Sequence, residues 1–308
     1  MSAAAAARPA VRLYFFRHGT SEWNLLKKWQ GAQDIPLAAQ GVDQAEAAAQ
    51  RLAGEGLRFD RAFTSDLQRA ATTAAVLHAA CGRGGSPVVE DARLRECSLG
   101  AFEGMVREDI KGPNAKCVGP ACASLPPSPT AALTALRWLR YRPMFEKFER
   151  MSGEERIDTP YFPELESPRQ IGMRAMACAA DAADALLDGG CESAPPGAVP
   201  TALLLTHSTV LESVLVSLSP LLLARSVPVV SAAAFSSDAA AASPGKCRRC
   251  QAAQFGKHFE SVHTVNLAHM AVLGTAEEGA QGRAWRWVLE SLSGIECEDA
   301  ATYRPAPA

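Results

Sequence analysis

Four short segments carry side chains able to gather around an anion. The first is Arg17-His18-Gly19, at the end of an apolar run from Val11 to Phe16. A histidine at a strand end, with glycine behind it, can aim a ring nitrogen into an open crevice, and the glycine permits close backbone approach to a ligand. Arg17 adds a planar fork suited to phosphate oxygens. Ser21 and Asn24 follow as neutral donors. The second segment, Thr64-Ser65-Asp66-Leu67-Gln68-Arg69-Ala70, brings Arg69 to a helix start, where backbone N–H groups also favour anions. The third, Leu94-Arg95-Glu96, places a carboxyl group on a loop with Gly100 and Glu103-Gly104. The fourth, Leu204-Leu205-Thr206-His207, ends another apolar run on a second histidine. Each segment also has a plainer reading. Arg17-His18 alone fits a solvated strand end, Glu96 can simply pair with Arg93 or Arg95, and Glu103 is a competing acid in the same loop.

The elements that must position these groups alternate along the chain. Val11–Phe16, Arg61–Thr64, Val88–Val89 and Ala202–Thr206 read as strands. Gln40–Leu52, a segment to about Ala80 capped by Ser65 or Asp66, Ala131–Arg150, Arg169–Leu187 and Val210–Leu218 read as helices. Val262–Leu273 and Ala284–Glu290 are C-terminal strand candidates. This order predicts an α/β, three-layer sandwich with a mostly parallel central sheet flanked by helices. Ligands in such sheets sit beyond the carboxyl ends of the strands, where His18 and His207 fall. The 308 residues read as a single domain with two insertions. One covers about 111–165, a loop plus a helix that could cap the site through Trp138, Tyr141, Phe145 and Phe148. The other covers about 226–254 and is Ala- and Ser-rich.

Composition narrows the classes. The hydrophobic share of 48% supports a sizeable core, and Lys+Arg 31 against Asp+Glu 33 gives a net charge of −2. That balance argues against a nucleic-acid partner. No run approaches a bilayer span, the first residues lack a secretory pattern, and nine scattered cysteines do not form a disulfide scaffold, so no membrane partner and a cytoplasmic setting are expected. Cys247-Arg-Arg-Cys250 would need two further ligands, such as Cys117 and Cys122, to hold zinc; the irregular spacing argues against it, and no metal is expected. His78, His258, His263 and His269 read as structural. Nothing in the sequence fixes the oligomeric state.

Taken in order, the four segments resemble the histidine phosphatase superfamily, the phosphoglycerate mutase-like fold, over the whole chain apart from the insertions. The resemblance implies His18 as the nucleophile that becomes phosphorylated. Arg17, Arg69 and His207 would bind the phosphate, Glu96 would protonate the leaving oxygen, and Asn24 would contact the phosphate. Gln30-Gly31 would form a substrate-side loop. Ser208 departs from the glycine often found after the second histidine, though its backbone N–H could still reach phosphate. Two arginines and a histidine offset the charge repulsion of a phosphomonoester, so neither metal nor cofactor is required. Within the family, mutases resemble one another in a Thr-Gly pair and an Arg-His-Tyr run, where this chain has Gln30-Gly31 and Cys97-Ser98-Leu99. That difference implies the phosphatase branch, a hydrolase of a small phosphorylated metabolite. The alternatives are a cofactor-dependent phosphoglycerate mutase and a catalytically weak binding or scaffold relative.

Overall fold

A computed structural model describes residues 9–106, 143, 147, 150–151, 153–160, 165–189, 197–223, 262–279 and 282–297. Its strands are β1 (Ala10–Arg17), β2 (Arg61–Thr64), β3 (Val88–Glu90), β4 (Thr201–Thr206), β5 (Val262–Gly279) and β6 (Gly282–Cys297). Its described helices, in chain order, are α1 (Glu22–Leu25), α2 (Ala39–Gly54), α3 (Gln68–Cys81), α4 (Gly153–Asp158), α5 (Pro168–Asp188) and α6 (Ser208–Leu223). The strands form one sheet in the order β3-β2-β4-β1-β5-β6. β1 to β4 are mutually parallel where they pair, and β5 and β6 add an antiparallel hairpin at one side.

Strand alternation builds the three layers. Side chains of β1 point to opposite faces in turn. Val11, Leu13 and Phe15 pack on Ile171, Ala175, Ala179 and Leu186 of α5 and on Val210 and Val214 of α6. Tyr14 and Phe16 pack on Ala49 and Leu52 of α2 and on Ala70, Ala74 and Leu77 of α3. β4 repeats the division: Ala202 and Leu204 join the first cluster, Leu203 and Leu205 the second. Both strands are therefore apolar on both faces, as strands covered by helices on each side must be. Small residues are frequent on the buried faces of α2, α3 and α5.

The fold class matches the sequence reading, and several boundaries agree closely. Three differences have physical causes. α3 begins at Gln68 after a Leu67 cap that makes no side-chain bond, so neither Ser65 nor Asp66 caps it. Instead Asp34, from a distant loop, accepts from Gln68 N at 2.7 Å and from Gln68 Nε2 at 2.8 Å. β5 and β6 extend well beyond the expected segments because each supplies the other's ladder as a hairpin. The helix expected over Ala131–Arg150 and its aromatic face, the insertion at 226–254, and the four insertion cysteines lie outside the described residues, apart from isolated helical positions at 143 and 147. α5 forms where expected, with a capping box between Ser167 and Gln170 and Pro168 in its first turn. Among the described residues no helix is long and apolar enough to cross a membrane.

Candidate active site

β1 and β4 are adjacent and parallel, with Arg17 in register with Thr206. The next residue of each chain segment is a histidine, so both histidines leave the sheet at the same edge. His18 N donates to Thr206 O at 3.1 Å, which closes the two ends together. The rings of His18 and His207 then face each other, with centroids 5.1 Å apart and planes inclined by 60°. Both are buried, with exposures of 3% and 0%.

The tautomer of His18 follows from one bond. Its Nδ1 lies 2.6 Å from Gly19 O. A carbonyl oxygen only accepts, so Nδ1 carries the proton and donates. In a neutral imidazole the lone pair then sits on Nε2. Burial, then the charges of Arg17 and Arg69, hold His18 well below the ordinary histidine range. The same causes, burial first and then Arg69, His18 and Arg17, hold His207 low. Both rings are neutral at pH 7. His207 is thus a neutral donor or acceptor here, not a cation, and the positive charge facing an anion comes from Arg17 and Arg69.

Gly19 is glycine for a reason other than ligand approach. A Cβ there would lie 2.5 Å from Gly41 O, and a Cβ at Gly41 would lie 2.0 Å from Thr20 O. The loop after His18 therefore rests directly on the backbone of α2. Gly19 N also donates to Thr73 Oγ1 at 3.2 Å, tying the loop to α3. Thr20 is held from both sides: its N and Oγ1 donate to Gln44 Oε1 at 3.0 and 2.9 Å, and its Oγ1 accepts from Asn266 Nδ2 of β5.

Arg69 is 1% exposed. Its terminal nitrogens donate to Gln33 O at 2.6 Å and Gly31 O at 3.0 Å, while its buried Nε makes no hydrogen bond. The arginine both charges the site and holds the loop that follows Gln30. Gly31 has φ +53°, and a Cβ there would lie 2.2 Å from Glu103 Oε1, so no other residue fits. Glu103 accepts from Gln33 Nε2 at 2.6 Å, Leu99 N at 2.9 Å, Ala32 N at 3.1 Å and Ser98 Oγ at 3.2 Å. Burial alone would raise its pKa, but these donors together hold it below the usual carboxylate range. Glu103 is an ionised clamp between two loops and is poorly suited to deliver a proton.

Ser21, Asn24 and Gln30 form a second cluster. Ser21 N donates to Asn24 Oδ1 at 3.1 Å, Asn24 N donates to Ser21 Oγ at 3.2 Å, and Ser21 Oγ lies 2.7 Å from Gln30 Oε1. The first two bonds are a capping box for α1. With Oδ1 occupied, the Asn24 group left for a ligand is its NH₂.

Glu96 pairs with neither neighbouring arginine. Arg95 binds Asp66 in a fork at 2.6 and 2.5 Å, and Arg93 binds Asp91 and Asp181. Glu96 Oε1 instead accepts from Cys97 N at 3.0 Å. Its Oε2 accepts from Thr209 N at 3.3 Å and Ser208 Oγ at 3.4 Å, in the first turn of α6. Ser208, the departure from the usual glycine, thus reaches toward the acid. Glu96 also acts electrostatically on Arg69, which places it on the same site. Ser65 went unremarked in the sequence as a site residue, yet its Oγ lies 2.9 Å from His207 Nε2. The signal was its position just past the end of β2, beside β4, which only the sheet order reveals. Among the described residues, His269 and His78 have structural contacts. His269 stacks on Phe16 at 4.5 Å, and His78 Nε2 lies 2.7 Å from Ser86 O. The side chains of His258 and His263 lie outside the described residues.

Residues 13–126 match the model of the histidine phosphatase superfamily, branch 1. A 2,3-bisphosphoglycerate-dependent phosphoglycerate mutase of Xanthobacter autotrophicus is 40% identical over 99 residues, 32% of this chain and 48% of that protein. The chain thus spans about half the length of the curated relatives it matches. Among solved structures, a phosphoglycerate mutase from Bacillus anthracis shares the fold with a TM-score of 0.55 at 18% identity, covering 92% of this chain and 93% of that one. A mycobacterial glucosyl-3-phosphoglycerate phosphatase shares it with a TM-score of 0.50 at 22% identity, covering 93% and 100%. Over residues 13–126 this chain is thus similar to the histidine phosphatase superfamily.

The expectation of a phosphomonoester hydrolase is overturned here. The curated relatives, at 37–41% identity, carry mutase names, whereas the phosphatase likeness, at 22% identity, shows the fold alone. The features taken as marks of a phosphatase also have architectural explanations. Gln30 is tied by its Oε1, 2.7 Å from Ser21 Oγ, to the loop that caps α1, and Cys97 is a core residue at 8% exposure. Neither position reports on whether water or an alcohol receives the phosphoryl group.

Proposed function

We propose that this protein is a phosphoglycerate mutase of the 2,3-bisphosphoglycerate-dependent type, moving a phosphoryl group between the hydroxyls of a phosphoglycerate through a phosphohistidine at His18. The observation that carries the reading is the pair of buried, neutral imidazoles 5.1 Å apart, with Arg17 and Arg69 acting on both. Its support as a mutase is the likeness, over 99 residues, to proteins named as mutases.

His18 Nε2 attacks the phosphorus of the bisphosphoglycerate, and the P–O bond breaks. The departing alkoxide oxygen takes its proton from a protonated Glu96. The phosphoimidazolium keeps its Nδ1 proton on Gly19 O, which faces the ring's new positive charge. Arg17, Arg69 and His207 hold the phosphoryl oxygens as charge spreads over them. A phosphoglycerate hydroxyl then attacks phosphorus, passing its proton to Glu96, and the N–P bond electrons return to Nε2. The partner is a small phosphorylated substrate, and the bisphosphoglycerate is a phosphoryl donor that primes His18.

The test is ³¹P NMR of 3-phosphoglycerate incubated with the protein, with and without a trace of 2,3-bisphosphoglycerate. The expected result is isomerisation to 2-phosphoglycerate that depends on the trace and disappears in His18→Ala. Steady release of inorganic phosphate without priming, or no isomerisation at all, would contradict the reading.

A further inference from the structure

We propose that Ser65 is a positioning residue that fixes the tautomer of His207, so that Nδ1–H of that ring is the donor offered to the phosphoryl group. The inference rests on the phosphoryl-transfer role proposed for the site. Ser65 is fully buried at the end of β2, held by Ser65 N donating to Leu205 O at 2.9 Å. Its Oγ accepts from Leu67 N at 3.3 Å and lies 2.9 Å from His207 Nε2. His207 is 0% exposed, and its Nδ1 is buried without a hydrogen-bond partner.

A hydroxyl has one hydrogen and two lone pairs. Leu67 N–H takes one lone pair of Ser65. If Nε2 of His207 carried the ring proton, it would donate to Ser65, and the Ser65 hydrogen would have no acceptor among its described bonds. The Nδ1 lone pair would be unpartnered as well. If Ser65 donates to Nε2, both groups are satisfied at that bond and a single group remains, Nδ1–H. Leaving buried polar groups unpaired is costly, so the second arrangement prevails. It also fits the task. Phosphoryl oxygens are acceptors, and a lone pair aimed at them repels, whereas Nδ1–H donates without His207 having to gain a proton. Position 65 is thus required to hold a hydroxyl, a demand that core packing alone does not make.

The experiment is NMR of the full chain with ¹³C,¹⁵N-labelled histidine, which reports the tautomer of His207 directly, combined with mutase kinetics of Ser65→Ala and Ser65→Thr. The His207 signals are assigned by their loss in His207→Asn. In the unaltered protein His207 is expected as the Nδ1–H tautomer. Ser65→Ala is expected to shift it toward Nε2–H and to lower kcat about tenfold or more with KM changed by less than about threefold. Ser65→Thr, which keeps the hydroxyl, is expected to restore both. An Nε2–H tautomer in the unaltered protein, or a Ser65→Ala variant unchanged in tautomer and kcat, would overturn the proposal. The spectrum of the unaltered protein decides even where a variant does not fold. A protein with the Nδ1–H tautomer but no mutase activity would remove the proposed function while leaving the tautomer assignment standing.

Discussion

At the scale of single residues, the two carboxylates of one loop separate by their surroundings. Glu103 accepts four hydrogen bonds that hold it ionised, whereas Glu96 sits by Arg69 and the start of α6. Glu96→Gln is expected to fold normally and lose at least about 100-fold in kcat, since an amide neither gives nor takes the proton. Glu103→Gln is expected to keep the chemistry but lose about 1–3 kcal/mol of stability, because an NH₂ would face N–H donors. Urea unfolding and turnover of both variants check this, and the opposite pattern would exchange their roles. His18, Arg17, Arg69, Glu96 and His207 were legible as a set because each lies in a short motif at an element end. The job of Glu103 was not, because two of its four partners, Ala32 and Gln33, come from another loop. Ser65 was read only as a helix cap for the same reason: its histidine partner is 142 positions away in sequence.

At the scale of elements, the site depends on how closely α2 lies against the loop after β1. The contact is backbone on backbone, through Gly19, Thr20 and Gly41. Gly41→Ala adds only a methyl group, and alanine is the better helix former. The clash with Thr20 O nevertheless outweighs propensity. The expected outcome is a loss of about 1–3 kcal/mol and a fall in kcat from displacement of His18. A stabilised variant, as propensity alone would give, would show that α2 can slide without cost. Strand and helix positions were legible from apolar periodicity, as with β2 over Arg61–Thr64. The cap of α3 was not, because Asp34 reaches it from another loop, and the length of the β5–β6 hairpin depends on pairing, which periodicity does not encode.

At the scale of the whole molecule, burial of neutral histidines links the fold to pH. His18, His207 and His269 all have pKa values below that of an unfolded histidine, the last at about 4, chiefly through burial. The unfolded chain therefore binds more protons than the native one once pH falls below about 6.5. Their contribution is complete above that value and is lost as pH falls toward the folded-state values. Urea midpoints are expected to drop between pH 7 and pH 5. His269→Phe, which keeps an aromatic ring against Phe16, is expected to spare about 2 kcal/mol of that loss at pH 5. An identical pH slope in the variant would show that His269 is protonated in the native state. The measurement that bears most directly on the function is the fate of the phosphoryl group on the protein itself. The chain is exposed briefly to 2,3-bisphosphoglycerate, and peptide mass spectrometry under non-acidic conditions locates any label before and after addition of 3-phosphoglycerate. The expected result is one phosphoryl group on His18 that the phosphoglycerate removes without release of inorganic phosphate. A label elsewhere, no label, or a label lost to water at the same rate with and without the acceptor would contradict it.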